Sequence, residues 1–84
     1  MAENLEVTMH LSSIMKKTPY EGPASAVTSK NKVGEFDILP RHANFISLIY
    51  DRLTIHAPNG KIDYEFKRGV LEVKKNKVHI FLGL

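Results

Sequence analysis

The sequence predicts an all-β protein, and three observations support that prediction. Apolar and polar residues alternate with a period of two in several segments, which is typical of half-buried strands. Gly, Pro and Asn residues separate these segments at short intervals. No segment shows the helical period. About eight short strands divided by turn signals indicate a β-sandwich or a small barrel.

Length and composition narrow the possible classes of protein. With 84 residues, positions 1–84 have room for a single domain with one modest core. The chain has no Cys, so neither a disulfide framework nor a Cys-based metal site is expected. No apolar run approaches the roughly 20 residues needed to cross a bilayer, and the first residues lack the pattern of a signal peptide. Direct membrane insertion is therefore not expected.

The first half of the chain divides into strands and turns. Residues 5–11 alternate strictly and predict a strand, and residues 14–18 are expected to add a short edge element. Pro and Gly in 19–23 should break regular structure. Small residues in 24–28 predict another strand, and 29–32 are turn-like.

The second half contains two predicted hairpins. Residues 45–50 are apolar nearly throughout, so burial on both faces is expected. Asn59-Gly60 is a hairpin signal, because a type I′ turn needs positive φ at both central residues. A two-residue loop there pairs Ala57 with Ile62, Ile55 with Tyr64, Leu53 with Phe66, and His56 with Asp63.

Gly69 interrupts the alternation before the second predicted hairpin. A loop centred on Lys75-Asn76 pairs Val73 with Val78, Leu71 with Ile80, and Glu72 with His79. Apolar residues then face apolar residues, and Glu72 faces His79, so this register is favoured.

Residues 33–45 mix Gly, Pro, acids, Arg and His in a way that strand chemistry does not explain. Glu35 and Asp37 lie two apart and could share a strand face, as acid–base catalysts do. However, no nucleophile motif or phosphate-binding glycine loop accompanies them. The four His residues lack the spacing of a zinc site. We therefore expect no catalytic residues, no metal and no cofactor.

The same segment carries a resemblance to a known family. Gly34–Ala43 resembles the G-E-x-G-I-x-P-x-H-A segment of the epsilon subunit of the rotary ATP synthase, called delta in mitochondria. Gly69–Val73 resembles its G-G-x-L-E-V segment, and Asn76–Ile80 resembles the N-x-V-x-V strand that follows. Val7–His10 and Tyr20–Gly22 stand where the family has its first strand and its F/Y-x-G turn. The order and spacing agree over almost the whole chain.

The resemblance implies a sandwich of about ten short strands and a non-catalytic role. Such a domain packs on the gamma subunit, rests on the membrane c-ring, and couples ring rotation to ATP synthesis or hydrolysis. It is peripheral on the coupling membrane, in bacteria on the cytoplasmic face of the plasma membrane. Carried over by motif, the c-ring contact residues are Glu35, Arg41 and His42. The residues implied for loop geometry are Gly34, Pro40 and Gly69.

The chain also departs from the family pattern. Asp37, Arg41 and Arg68 stand where glycines are usual. Bacterial members continue into a C-terminal helical hairpin that binds ATP in some of them and inhibits hydrolysis. The sandwich is expected to finish at Leu84, so either the natural protein lacks the hairpin or this chain is a shortened form. Without it, the inhibitory role should be absent.

An unrelated β-sandwich or small-barrel binding module, for RNA or for another protein, is the alternative interpretation. RNA binding predicts exposed aromatics interleaved with Arg or Lys on one sheet face. The predicted pairing turns Tyr64 and Phe66 towards the core, and the net charge of +3 is mild. Nucleic acid is therefore not expected as a partner.

Overall fold

The computed structural model describes residues 3–84, whose regular elements are all β-strands. Seven strands follow one another along the chain: β1 Leu5–Leu11, β2 Glu21–Ala24, β3 Ala26–Lys30, β4 Glu35–Ile38, β5 Phe45–Ala57, β6 Gly60–Lys74 and β7 Lys77–Leu82. The all-β fold class is confirmed. None of the described residues belongs to a helix that could cross a membrane.

The strands form one sheet in the order β2-β1-β7-β6-β5-β3-β4. β1 runs parallel to β7, and the other neighbouring strands are antiparallel. The long β5–β6 hairpin runs through both halves of the sheet, and its register shifts at a bulge between Tyr50 and Asp51. A bulge bends a strand and increases its twist, so the sheet curls over itself as a sandwich.

Seven strands replace the expected eight to ten because β5 and β6 are long. They contain 13 and 15 residues, and they continue through Asp51 and Gly69, where shorter strands were expected to end. Residues 14–18, expected as an edge element, are not a strand.

One apolar core lies between the two halves of the curled sheet. Its members come from all seven strands: Leu5, Val7, Met9, Ala24, Val27, Ile38, Ile49, Leu53, Ile55, Tyr64, Leu71, Val73, Val78, Ile80 and Leu82. The alternation predicted for β1 is confirmed, since Leu5, Val7 and Met9 are buried while Glu6 and His10 are exposed.

The prediction that Pro19–Pro23 breaks regular structure is wrong for its second half. Glu21–Ala24 forms β2, with Pro23 opposite Glu6. β2 is an edge strand, and an edge tolerates a residue that cannot donate to the ladder. The Tyr20 hydroxyl donates to the Pro23 carbonyl at 2.5 Å, which ties the entering chain to this edge.

The β5–β6 hairpin forms with a register two residues from the predicted one. Ala57 pairs with Gly60, Ile55 with Ile62, Leu53 with Tyr64, and Thr54 rather than His56 with Asp63. Only Gly60 of the Asn-Gly pair has positive φ, so the loop is Pro58-Asn59. Proline fixes φ near −65°, which suits the first central position of a type I turn and not the preceding flank of a type I′ turn. A shift of two preserves the faces, so the apolar face was predicted correctly.

The β6–β7 hairpin has the predicted register: Val73 pairs with Val78, Leu71 with Ile80 and Glu72 with His79. Lys75 and Asn76 have φ of 51° and 64°, the left-handed pair that a type I′ turn requires. The carboxylate of Glu72 lies 3.9 Å from Nδ1 of His79.

Tyr64 anchors the segment between β1 and β2 to the core. Its hydroxyl donates to the Thr18 carbonyl at 2.8 Å, and Lys17 lies over its ring with Nζ 5.1 Å from the centroid. Burial raises the pKa of the Tyr64 hydroxyl above its ordinary value, and a backbone hydrogen bond at Tyr20 partly opposes that shift.

Tyr64→Phe is expected to flatten the loss of stability in alkali. Because the folded pKa of Tyr64 is raised, the unfolded chain loses this proton first as pH increases. The contribution of protonated Tyr64 to the free energy of unfolding is therefore fully present below about pH 10 and is lost as the pH rises above it. Urea unfolding from pH 7 to 11 should show a shallower alkaline slope for Tyr64→Phe, with a loss of about 1 kcal/mol at pH 7 from the missing hydrogen bond. Tyr50→Phe is the control, and an equal slope in both variants would refute the assignment.

Candidate functional site

The segment between β4 and β5 is built around a tight turn at residues 39–42. The amide of His42 donates to the Leu39 carbonyl at 3.1 Å, and Pro40 occupies the first central position. Arg41, at the second central position, has φ of 69°. This is type II geometry, which normally places Gly at that position. A left-handed Arg costs roughly 1–2 kcal/mol, so other contacts must stabilise it.

Arg41 is held by two residues that are distant in sequence. Its backbone amide donates to Oδ1 of Asn76 at 2.6 Å, and its Nε donates to the Glu3 carboxylate. Nδ2 of Asn76 donates to the other Glu3 oxygen at 3.1 Å. The turn therefore lies against the β6–β7 hairpin, at the end of the sheet where β1 begins.

His42 packs on Phe45, which in turn packs on Phe36. Its ring lies edge-on to Phe45, with centroids 5.6 Å apart, and Phe45 lies edge-on to Phe36 at 5.5 Å. Nδ1 of His42 is 2.8 Å from the Ala43 carbonyl. These contacts hold the ring against the start of β5, while the residue keeps part of its surface in solvent.

Glu35 lies at the start of β4, whereas Arg41 and His42 lie beyond its end. Glu35 pairs with Arg52 of β5, and Asp37 accepts from the Thr28 hydroxyl at 2.6 Å. The two carboxylates are therefore engaged separately and do not form an acid–base pair. The three residues expected to contact a ring are not brought into one cluster. Phe45 contacts both Phe36 of β4 and His42 beyond the end of β4, so the three rings form a continuous row.

The residues named for loop geometry fall into two classes. Gly34 has φ of 144° in the β3–β4 turn, where its amide donates to Asn31, and Pro40 starts the type II turn. Gly69 is different, because it is buried inside β6 and not in a loop. A Cβ on Gly69 would overlap the Phe81 carbonyl oxygen and lie 2.8 Å from Cδ2 of Leu82. Close strand packing, not turn geometry, requires this glycine.

An apolar row crosses the outer face of the sheet from β5 to β7. Leu48 pairs with Val70, and Val70 pairs with Phe81. The row ends at His10 of β1, whose ring stacks on Phe81 at 4.8 Å between centroids. Leu48 and Phe81 are 48% and 38% exposed, although they lie in the middle of a sheet.

Ile46 extends this apolar row towards the 39–42 turn and is 68% exposed. The expectation that residues 45–50 are buried on both faces is therefore wrong. Ile49 lies in the core, while Ile46 and Leu48 point outwards with nothing packed over them among residues 3–84. Contiguous exposed apolar surface of this kind marks an interaction site. We call Ile46, Leu48, Val70 and Phe81 the apolar row.

The site combines exposed apolar side chains with an exposed ion pair. Within the described part of the chain, no three His, Asp or Glu side chains converge in a way that could hold an ion. Arg41 of the 39–42 turn is paired with Glu3, and both side chains are exposed. The apolar row and the adjoining turn together form a face with an apolar centre and a charged margin.

Comparison with known proteins shows the family to which the chain belongs. The family described as "ATP synthase, Delta/Epsilon chain, beta-sandwich domain" matches residues 8–82. The chain belongs to this family. A comparison with curated proteins returned no match.

Two solved structures share the fold of this delta/epsilon sandwich. A chain of the Euglena gracilis mitochondrial ATP synthase, solved with its c-ring, superposes with a TM-score of 0.77 at 20% identity, over 94% of this chain and 50% of that one. A chain of the Tetrahymena thermophila mitochondrial ATP synthase central stalk and c-ring gives 0.73 at 17% identity, over 99% of this chain and 66% of that one. The delta/epsilon sandwich thus spans half to two-thirds of their lengths.

Sequence reasoning missed the apolar row of the delta/epsilon sandwich. The sequence contains a sign of this row, because residues 45–50 are apolar at both odd and even positions and so carry apolar side chains on both faces of the strand. A strand with one solvent-exposed face normally has polar residues on that face. The sign was interpreted as double burial, the commoner cause. Only the position of β5, with its outer face uncovered, distinguishes the two causes.

Proposed function

We propose that this domain is a non-catalytic central-stalk subunit of a proton- or sodium-translocating ATP synthase. It docks a gamma-type subunit onto the c-ring and couples rotation of the ring to ATP synthesis or hydrolysis. Membership of the delta/epsilon family over residues 8–82 supports this role most directly. The proposed location is peripheral on the coupling membrane, in bacteria on the cytoplasmic face of the plasma membrane.

The apolar row is the proposed gamma-facing surface. A permanent interface buries an apolar core, and Leu48, Val70 and Phe81 supply one on the outer face of the sheet. The strands beneath them belong to the core, so little conformational entropy is lost when a partner covers them. The stacked His10–Phe81 pair gives the row an aromatic group at its β7 end.

The charged margin is the proposed contact with the c-ring. Glu35 begins β4, and Arg41 and His42 lie on the turn beyond its end, so both ends of the strand offer polar groups to the loops of a ring. The ion pairs of Glu35 and Arg41 are exposed, so each contributes at most about 1 kcal/mol to folding and can exchange for a partner's charge. Charges at a margin favour orientation and specificity more than affinity.

Glu35→Lys with Arg41→Glu is expected to weaken coupling in assembled enzyme. The double variant keeps the net charge but reverses both proposed ring contacts. Stability of the isolated domain should fall by no more than about 2 kcal/mol, because both native pairs are exposed. Ion pumping per ATP hydrolysed should fall several-fold, as expected when opposed charges meet across an interface.

The matched control for this variant is Lys61→Glu with Glu65→Lys, which swaps charges on exposed positions of β6. Pumping per ATP hydrolysed should stay at the wild-type value in the control. Wild-type pumping in Glu35→Lys/Arg41→Glu would remove these residues from the ring contact.

A further inference from the structure

Asn76 links three segments that are far apart in the chain. Its Oδ1 accepts the amide of Arg41 at 2.6 Å, and its Nδ2 donates to Glu3 at 3.1 Å. Glu3 closes the circle by pairing with Nε of Arg41. The side-chain amide of Asn76 therefore accepts a hydrogen bond from the 39–42 turn and donates one to the segment before β1.

The backbone of Asn76 is itself firmly placed. It occupies the left-handed second position of the type I′ turn between β6 and β7, with φ of 64°. Its carbonyl accepts the amide of Glu6 at 2.8 Å, which joins the turn to the start of β1. The side chain of Asn76 thus projects from a backbone position that is fixed by β1, β6 and β7.

The left-handed backbone of Arg41 needs a stabilising partner, whereas a glycine at this position would adopt the same conformation without one. The left-handed φ of 69° at Arg41 is unfavourable for a residue with a Cβ. The hydrogen bond from its amide to Asn76 opposes relaxation of the turn towards a more extended form. Since Arg41 and His42 are adjacent, the same bond constrains the backbone from which both side chains project.

From this geometry we infer that Asn76 is a positioning residue for the turn that carries Arg41 and His42. It does so by holding the left-handed backbone of Arg41 through its side-chain amide. The effect on docking rests on the proposed function, whereas the effect on the turn does not. The simpler role, that Asn76 only favours a type I′ turn, makes a different prediction for the Gly variant.

Asn76→Gly separates these two roles. Glycine keeps the left-handed φ of the β6–β7 turn, so a purely local role predicts no change at Arg41. Loss of the amide should instead raise the hydrogen-exchange rate of the Arg41 backbone amide about tenfold, the effect of one lost hydrogen bond. NMR signals of His42 and Ala43 should shift, and those of the β7 core should stay in place.

Arg41→Gly supplies the second arm of the experiment. With glycine at position 41 the left-handed turn no longer needs external support. Asn76→Gly should then disturb the His42 and Ala43 signals much less than it does with Arg41 present. Unchanged Arg41 exchange in Asn76→Gly, or equal disturbance with and without Arg41, would overturn the inference.

Binding of the same variants to a gamma–c-ring assembly distinguishes positioning from docking. Asn76→Gly is expected to bind about tenfold more weakly, with a melting temperature close to that of the wild type. Faster Arg41 exchange together with wild-type binding would support the positioning role and would overturn the ring contact proposed for the turn. An unchanged exchange rate of the Arg41 backbone amide in Asn76→Gly, together with weaker binding to the assembly, would overturn only the positioning role of Asn76.

Discussion

Gly69→Ala is expected to destabilise the domain by about 3 kcal/mol, at the upper end of the range for overpacked cores. Gly69 is buried in β6 between Ile49 of β5 and Leu82 of β7. An added Cβ would overlap the Phe81 carbonyl oxygen, a backbone atom that the ladder holds in place, and would lie 3.4 Å from Cγ1 of Ile49. Relief therefore requires β6 and β7 to separate. The melting temperature should fall by roughly 10–20 °C for a domain of this size.

Gly34 provides the control for the Gly69 prediction. A Cβ at Gly34 meets no atom within 4 Å, but φ of 144° is unfavourable for any side chain. Alanine and valine should therefore cost similar amounts at Gly34, on the order of 1–3 kcal/mol. At Gly69 valine should cost clearly more than alanine, because space is limiting. Equal costs for both residues at Gly69 in urea unfolding would show that close packing is not the reason for this glycine.

Leu48→Asp is expected to abolish docking to a gamma-type subunit while leaving the fold intact. Leu48 is 48% exposed and pairs with Val70, which pairs with Phe81, so a carboxylate there would be desolvated inside the proposed interface. Affinity should fall at least about 100-fold, or roughly 3 kcal/mol, as for a central hot-spot residue. Stability of the isolated domain should change by less than about 1 kcal/mol, because the aspartate stays in water. Titration calorimetry and urea unfolding measure the two quantities.

Ile14→Asp is the matched control for Leu48→Asp. Ile14 is 78% exposed and lies in the segment between β1 and β2, away from the apolar row. Ile14→Asp introduces the same charge in place of an exposed aliphatic residue, and its affinity for the gamma-type subunit should remain within about threefold of the wild type. Wild-type affinity in Leu48→Asp would exclude the apolar row from the interface. Similar losses in both variants would indicate a general effect of charge.

Local patterns predicted the parts of the fold that depend on neighbouring residues. The β6–β7 register followed from the opposed Glu72 and His79 and from a turn with no competing residue. The β5–β6 register was wrong by two because Pro58 competes with Asn59-Gly60 for control of the loop. Both registers place the same residues inside, so core burial could be predicted even where pairing could not.

The remaining features of the site depend on contacts between distant segments. Arg41 is left-handed because Asn76 and Glu3 hold it, 35 and 38 positions away, and no local pattern contains that information. Gly69 lacks a side chain because of the Phe81 carbonyl on the next strand. The family motifs indicate the 33–45 segment as part of the site, whereas the curl of the sheet determines which apolar residues of β5 stay outside.

Complex formation with the cognate gamma-type subunit tests the central claim most directly. The purified domain and the gamma-type subunit, mixed at micromolar concentrations, are analysed by size exclusion with light scattering. A central-stalk subunit should co-elute as a stable one-to-one complex, and Leu48→Asp should elute separately. Separate elution of the wild-type domain at these concentrations would contradict the account.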